Sequence, residues 1–379
     1  MTIRVAALQL GLSLAVVAAT AEPPPASPDS MKHVIVFKED GRFGGWPANH
    51  GIWSWGNEIL VGFEAGYLKP SERMHAIDYS RPAEHVVARS LDGGETWTVE
   101  SPPGLRPPPG KKVAGVPTGT DGKPTTPFEG TIDFGNPDFA LTARMESFHV
   151  GPSRFYYTTD RGKTWEGPFE IPTFGRKGIA ARTDYLVDGP RELTMFLTAA
   201  KDNDGKQGHT ICVRTKDGAR TWEFVSFVGP EPPVGKKAIM PSSVRLDEST
   251  ILTAVRRKRS IDLYRTEDNG ETWSFVGKPA PDTGANNGNP PSLTRLKDGR
   301  LVLIHGYRSA PYGIRARIST DDGASWGEEI MLRDDGGGRD LGYVRTVLRP
   351  DGRLVSVYYY NDGPDEERYI AATIWDPGQ

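Results

Sequence analysis

Apolar positions along this chain come in short runs of strand length, bounded by turn residues. Residues 84–90 (EHVVARS), 153–159 (SRFYYTT), 209–215 (HTICVRT), 260–266 (SIDLYRT) and 313–319 (GIRARIS) mix branched or aromatic residues with polar ones. Helical periodicity is scarce, while Gly, Pro and turn dipeptides are frequent, so the pattern predicts an all-β chain. Each of the five runs leads into the same signature: Ser/Thr-x-Asp, a Gly-containing turn, then Thr/Ser-Trp. It reads SLDGGETW from Ser90, TTDRGKTW from Thr158, TKDGARTW from Thr215, TEDNGETW from Thr266 and STDDGASW from Ser319. The Asp can accept backbone N–H groups of its own turn, and Asp, Asn and Gly tolerate the left-handed conformations of a tight hairpin. The Trp is a large apolar plate suited to wedging between strands. The starts are separated by 68 (158 − 90), 57 (215 − 158), 51 (266 − 215) and 53 (319 − 266) residues. A unit of about 50 residues fits a four-stranded propeller blade.

Upstream of each signature lies a first hairpin: 46–64, 127–144, 181–199, 241–257 and 291–308. A sixth unit follows at 342–360 with a third strand at 368–375, and the chain stops before another signature. The missing outer strand has a donor at 33–40 (HVIVFKED), ahead of the first blade. Five signatures therefore predict six blades, closed into a ring by both chain ends so that no strand edge is left open. The resulting propeller spans 33–379. Residues 98–126 form a long Pro/Gly/Lys-rich insertion between blades one and two.

Composition narrows the function classes. Net charge is −3, with no run of like charges beyond Arg256–Arg259, which argues against a nucleic-acid partner. Cys212 is the single cysteine, so an internal disulfide and a Cys-based metal cluster are excluded, and no other metal-ligand or cofactor spacing is present. His75 and Asp78 stand three apart in a loop, where His75 reads as a structural histidine. Arg4, the apolar stretch 5–19 and Ala19-Thr20-Ala21 predict a signal peptide at 1–21, cleaved after Ala21, followed by a Pro-rich leader at 22–32. The stretch is too short to span a membrane convincingly, so the mature chain is expected to be secreted or periplasmic and free of the membrane.

Strand bookkeeping assigns faces. The signatures and the first-hairpin turns share one face. The starts of first strands, the ends of second strands and the loops before third strands share the other. Candidate residues on that face are Trp46, Asn49, His50 and Glu64 with the loop residues Asp78 and Arg81 from blade one, and Glu129 and Arg144 from blade two. Arg182 and Asp184 come from blade three, Arg256 from blade four, Asn289, His305, Tyr307 and Arg308 from blade five, and Tyr343 and Arg345 from blade six. Arg182 with Asp184, and Tyr343 with Arg345, stand two apart and so are expected on one side of a strand. Arginines, carboxylates and aromatics around one channel suit a polar, anionic sugar, because Arg holds a carboxylate with paired hydrogen bonds.

The repeated signature resembles the Asp-box, or BNR, repeat of the sialidase superfamily, and the resemblance covers nearly all of the chain after the leader. It implies an exo-glycoside hydrolase acting on a terminal acidic sugar, with an Asp acid/base, a Tyr nucleophile activated by a Glu, and three carboxylate-clamping arginines. Asp78 matches the acid/base, Tyr343 the nucleophile and Arg256 the second clamp Arg. The place of the first clamp Arg reads Gly44-Gly45-Trp46-Pro47, the Glu of blade four is replaced within Ile239-Met240-Pro241-Ser242, and Arg308 and Arg315 are out of register for the third Arg. A tyrosine nucleophile is a known exception to the two-carboxylate scheme of glycosidases. Two other readings stay open: a non-catalytic glycan-binding propeller, and a polysaccharide lyase with His50 or Tyr343 as base.

Overall fold

The computed structural model describes Met1 and residues 31–71, 75–107, 112–113, 116–117, 122–285 and 287–378. The expected signal peptide, the leader up to residue 30 and positions 108–111, 114–115 and 118–121 of the expected 98–126 insertion lie outside the described residues, and Thr98–Glu100 is the outer strand of blade one rather than insertion. Six small antiparallel sheets stand in a ring, a six-bladed β-propeller. Blades three (185–227), four (239–280) and five (292–336) each run four strands from the axis outward in chain order. Blade six takes Gly342–Leu348, Leu354–Tyr360 and Tyr369–Trp375 from the C-terminal end and Lys32–Phe37 from the N-terminal end. The closing strand pairs from Lys32↔Ile374 to Phe37↔Ile370, so Lys32 belongs to the ring and not to the leader.

Blades one and two depart from the expected pattern. In blade one the inner strand is cut in two. Arg42–Gly45 pairs with the upper half of Glu58–Tyr67, Ile52–Trp55 pairs with its lower half, and the helical turn Pro47–His50 bulges between them. Gly62 faces that bulge, where a Cβ would stand 2.8 Å from the His50 Cβ. Blade two has three strands among the described residues, with Ala140–Met145 innermost. The stretch expected to supply its first strand bonds to blade three instead, Ile132 N–H to the Gly218 carbonyl (2.9 Å) and Phe134 N–H to that of Pro190 (2.7 Å).

The five repeated turns are built alike. In the first, Asp92 accepts from Thr96 N–H (2.9 Å) and Thr96 Oγ1 (2.6 Å), Gly94 N–H donates to Ser90 Oγ (2.7 Å), and Trp97 Nε1 donates to the Gly94 carbonyl (2.9 Å). In the third, Ala219 takes the glycine position with φ of 72°. The indoles lean on the preceding blade: Trp165 on Trp53, Trp222 on Phe155 and Trp273 on Phe196. Signature turns and first-hairpin turns also bond to each other, as in Gly93 N–H to the Asn57 carbonyl (2.8 Å) and Asn269 N–H to that of Ser249 (2.8 Å). They share one face, and the opposite face is left for the candidate residues.

Candidate active site

Three first strands are distorted where they meet that opposite face. Trp46 (φ 62°), Met240 (φ 54°) and Tyr343 (φ 53°) are left-handed non-glycine residues. Met240 and Tyr343 sit in register shifts of their strands. Such conformations cost about 1–3 kcal/mol each and persist only where the surroundings enforce them; bulges commonly re-aim a side chain beside a site. Asn289, fully buried in blade five, enforces the one at Tyr343: its Oδ1 accepts the Tyr343 N–H (2.9 Å) while its Nδ2 donates to the Leu341 carbonyl (3.0 Å).

The re-aimed Tyr343 phenol meets a group of cations. Arg256 Nη1 donates to its oxygen at 3.0 Å and also contacts Met240 Sδ at 3.1 Å. The Arg256 and Arg308 guanidinium carbons stand 5.4 and 5.5 Å from the ring centroid. Burial alone would raise the phenol, but Arg256, His75 and Arg308 outweigh it and pull Tyr343 down to about 6. Arg182 is buried and lowered to about 10 by that burial, with the Tyr343 oxygen opposing and Arg256 reinforcing the shift. Among the described residues its Nε makes no hydrogen bond. Lys237, which sequence reasoning missed, belongs to the same group. Desolvation, then Arg256, lower it to about 8, and its Nζ lies 3.2 Å from Asn287 Oδ1. A lysine immediately ahead of a first strand was the available signal. Arg308 is committed to the scaffold, donating to the Leu341 and Gly288 carbonyls and to the Tyr359 hydroxyl.

Beside the phenol stands a second polar unit. His75 packs edge-on against Tyr343 (6.1 Å between centroids) and Trp46 (5.0 Å). Its Nδ1 lies 2.6 Å from Asp340 Oδ1. Asp340 also accepts from Tyr359 Oη (2.8 Å), Ala76 N–H (2.9 Å) and Arg368 Nε (3.2 Å). Burial would raise its carboxyl, but His75 and Arg308 hold it well below the usual range. Sequence reasoning set His75 aside as structural and passed over Asp340.

On the other side of Trp46, a small chamber of about 20 Å³ is lined by Trp46, Asn49, His50, Glu64, His85 and Arg144. Glu64 stands 3.5 Å from His50 Nε2 and 3.3 Å from His85 Nε2. Burial and Arg144 push His50 well below its ordinary value. Among the described residues, Trp46 Nε1, Asn49 Oδ1, His50 Nδ1 and the Nε and Nη2 of Arg144 make no hydrogen bond. The space holds about one water or one hydroxyl group.

The remaining candidates go elsewhere. The Asp78 carboxylate closes its own turn on Ser80 N–H (2.9 Å) and Ser80 Oγ (2.6 Å), with Lys69 at 3.8 Å. The Ser80 hydrogen bonds lower its pKa, the opposite of what a proton donor needs. Burial raises its neighbour Tyr79 to about 12, with Asp340 and Tyr343 reinforcing the shift. Arg81 is exposed and stacks on Tyr67, 3.2 Å from the ring centroid. Glu129 is exposed in the stretch that joins blade three. Asp184 and Arg345 line a separate channel cavity of about 310 Å³ with Trp53 and Tyr185, further toward the signature face. Asp184 accepts from Ser243 Oγ (2.8 Å), and burial raises it to about 6. Arg345 donates to the Ala48 and Thr183 carbonyls. Tyr343 and Arg345 thus part company because the bulge breaks strand alternation. Arg182 and Asp184 part because both precede the strand, which starts at Tyr185, so alternation does not hold there; Arg182 turns to Ala180 O and Gln207 Oε1. His305 is buried in blade five, where burial lowers it to about 4.

Residues 146–357 match the family described as BNR repeat-like domain. A search of curated protein sequences gave no match. Among solved structures, a protein of unknown function from Dyadobacter fermentans is similar at 20% identity and TM-score 0.69, over 92% of this chain and 99% of that one. The NanB sialidase from Streptococcus pneumoniae is similar at 12% identity and TM-score 0.60, over 91% of this chain and 71% of that one. An alpha-L-arabinanase from Penicillium chrysogenum, complexed with arabinobiose, is similar at 14% identity and TM-score 0.58, over 91% and 99%. The scaffold is therefore one that glycoside hydrolases use.

Proposed function

Because the chain belongs to the family of BNR repeat-like domains, within the sialidase-like propellers, we propose that it is a glycoside hydrolase that releases a terminal acidic sugar, sialic acid or a uronic acid, from a glycan. One observation carries the reading: a buried tyrosine, held left-handed by Asn289, whose oxygen accepts from Arg256 and is pulled to about 6 among cations. A phenolate at neutral pH is a nucleophile, and it suits an anomeric centre that already bears a carboxylate. Arg182 and Lys237 are the cations nearest to hand for that carboxylate, because Arg256 spends Nε and Nη2 on the Asn287 carbonyl (3.2 and 2.6 Å) and Nη1 on the phenol itself. Trp46 borders both His75 and the small chamber, where a sugar hydroxyl would find the unpaired donors of Arg144 and of Trp46 itself. The N-terminal charge, apolar stretch and Ala-x-Ala site support export as part of the same proposal.

The test is turnover of a panel of sialosides and uronic-acid glycosides by the wild type and by Tyr343→Phe and Asp78→Asn. Tyr343→Phe should lose a factor on the order of a thousand in kcat/KM, and Asp78→Asn should stay within about threefold, because that carboxylate is spent on its own turn. Retention of full activity by Tyr343→Phe sinks the proposal. A lyase is the second reading, because the same phenolate among cations is also a base poised beside a uronate. It predicts a product carrying a new carbon–carbon double bond with its ultraviolet absorbance, where the hydrolase gives none. Tight binding with no product of either kind leaves a glycan-binding propeller.

A further inference from the structure

We propose that His75, oriented by Asp340, donates the proton to the leaving group and later takes one from the attacking water. The proposal rests on the reading of Tyr343 as nucleophile, and it assigns to this pair the role that the family pattern gives to Asp78. Three observations carry it. First, the imidazole edge is packed against the Tyr343 ring at 6.1 Å, whereas the Asp78 carboxylate is spent on Ser80 and Lys69. Second, the ring is held in one orientation. Asp340, 7% exposed, takes Nδ1 at 2.6 Å and is itself fixed by Ala76 N–H, Tyr359 Oη and Arg368 Nε. A buried carboxylate on Nδ1 sets the tautomer and stabilises the imidazolium, leaving Nε2 for the reaction. Among the described residues Nε2 makes no hydrogen bond. Third, His75 borders a loop cavity of about 440 Å³, shared with Ile77, Asp78 and Tyr79, that gives a leaving sugar room beside the imidazole.

The chemistry balances without a co-reactant beyond water. The Tyr343 oxygen forms a bond to the anomeric carbon with its own electron pair. The glycosidic C–O bond breaks, its pair passing to the leaving oxygen, which takes the Nε2 proton and departs as a neutral alcohol. Water then attacks the anomeric carbon and gives its proton to Nε2. The Tyr343 oxygen leaves with its electron pair as phenolate, restoring the starting state.

The experiment compares two substrates of one acidic sugar, sialic acid and then glucuronic acid: a 4-nitrophenyl glycoside, which leaves without proton help, and a methyl glycoside, which needs it. In His75→Gln and Asp340→Asn the loss of kcat/KM on the methyl glycoside should exceed that on the 4-nitrophenyl glycoside by at least a hundredfold, while Asp78→Asn treats the two alike. A structural role would lower both rates together, and equal losses in His75→Gln overturn the proposal while the Tyr343 reading stands. If the wild type turns over neither glycoside, the Tyr343 reading itself falls, and the proton-donor role with it. His75 is partly exposed, so its variant is expected to fold. The melting transition of each protein checks this, and Asp340→Asn supplies the second arm.

Discussion

Tyr343 shows how far a single residue can be read from its motif and where its surroundings take over. Its place at the head of the last blade is legible in GYVRTVLRPDGRL. Its ionisation is not, because it depends on Arg256, 87 positions away, and on His75. Burial pushes a phenol up, so the low value depends on the positive charges beside it. In Arg256→Met the burial remains and the nearest charge is gone. The wild type should therefore gain one phenolate by ultraviolet difference spectroscopy around pH 6, absent in Tyr343→Phe, and in Arg256→Met that step should move up by two pH units or more. The sign for stability follows: the folded-state pKa lies below the unfolded value near 10, so this contribution is complete above about pH 10 and is lost as pH falls through about 6. A phenol that titrates unchanged in Arg256→Met would separate Arg256 from the site. Asp78 teaches the converse. Its loop was legible, yet the direction of its carboxylate was decided two residues on, by Ser80. His75 and Asp340 could not be joined from sequence, being 265 positions apart.

At the scale of the element, the turns were the legible part, because their chemistry is local. Asp160 accepts Thr164 N–H (3.0 Å), Thr164 Oγ1 (2.6 Å) and Thr158 Oγ1 (2.7 Å), all within the eight-residue signature. Asp160→Ala strips a turn of three acceptor contacts at the signature face and should lower stability by about 1–3 kcal/mol while leaving KM unchanged. Denaturant unfolding alongside steady-state kinetics checks both halves, and a changed KM would tie the turn to the site. The inner strands were read less well, for a physical reason. Alternation with period two places Tyr343 with Arg345 and Arg182 with Asp184, but the rule holds only inside a regular ladder. Where Met240 and Tyr343 turn left-handed the ladder slips, and Arg345 drops to the Ala48 and Thr183 carbonyls. The segment 127–139 was expected to supply a first strand, but its Ile132 and Phe134 N–H groups find carbonyls on blade three. That choice is tertiary and leaves no local mark.

The molecule as a whole is held by how its ring closes. Five blades are sealed by a signature Trp leaning on the blade before. Blade six has no such turn, and its Trp375 is instead fully buried against blade five, bonded through Nε1 to Ser356 Oγ (3.2 Å). Its outer edge is covered by Lys32–Phe37, the strand from the other end of the chain. That strand also enters the core. Phe37 packs on Phe63 of blade one at 5.3 Å, and Gly44 leaves it room, since a Cβ there would stand 2.8 Å from the Phe37 ring. Blade one follows directly, with Gly44 N–H bonded to the Arg368 carbonyl at 2.5 Å. Removing residues 1–40 would therefore bare the Tyr369–Trp375 edge, empty the Phe37 site and loosen the junction of blades six and one together. An open, apolar edge strand pairs with other chains, so the truncated protein should lose its single cooperative melting transition and scatter light as it associates. Phe37→Ala keeps the strand and deletes only the ring. It should stay monodisperse and lose about 3–5 kcal/mol, the range for a buried phenylalanine. Truncation that melts within a few degrees of the full chain would place the closure elsewhere. If Phe37→Ala aggregated as the truncation does, the wedge and not the covered edge would be what keeps copies apart.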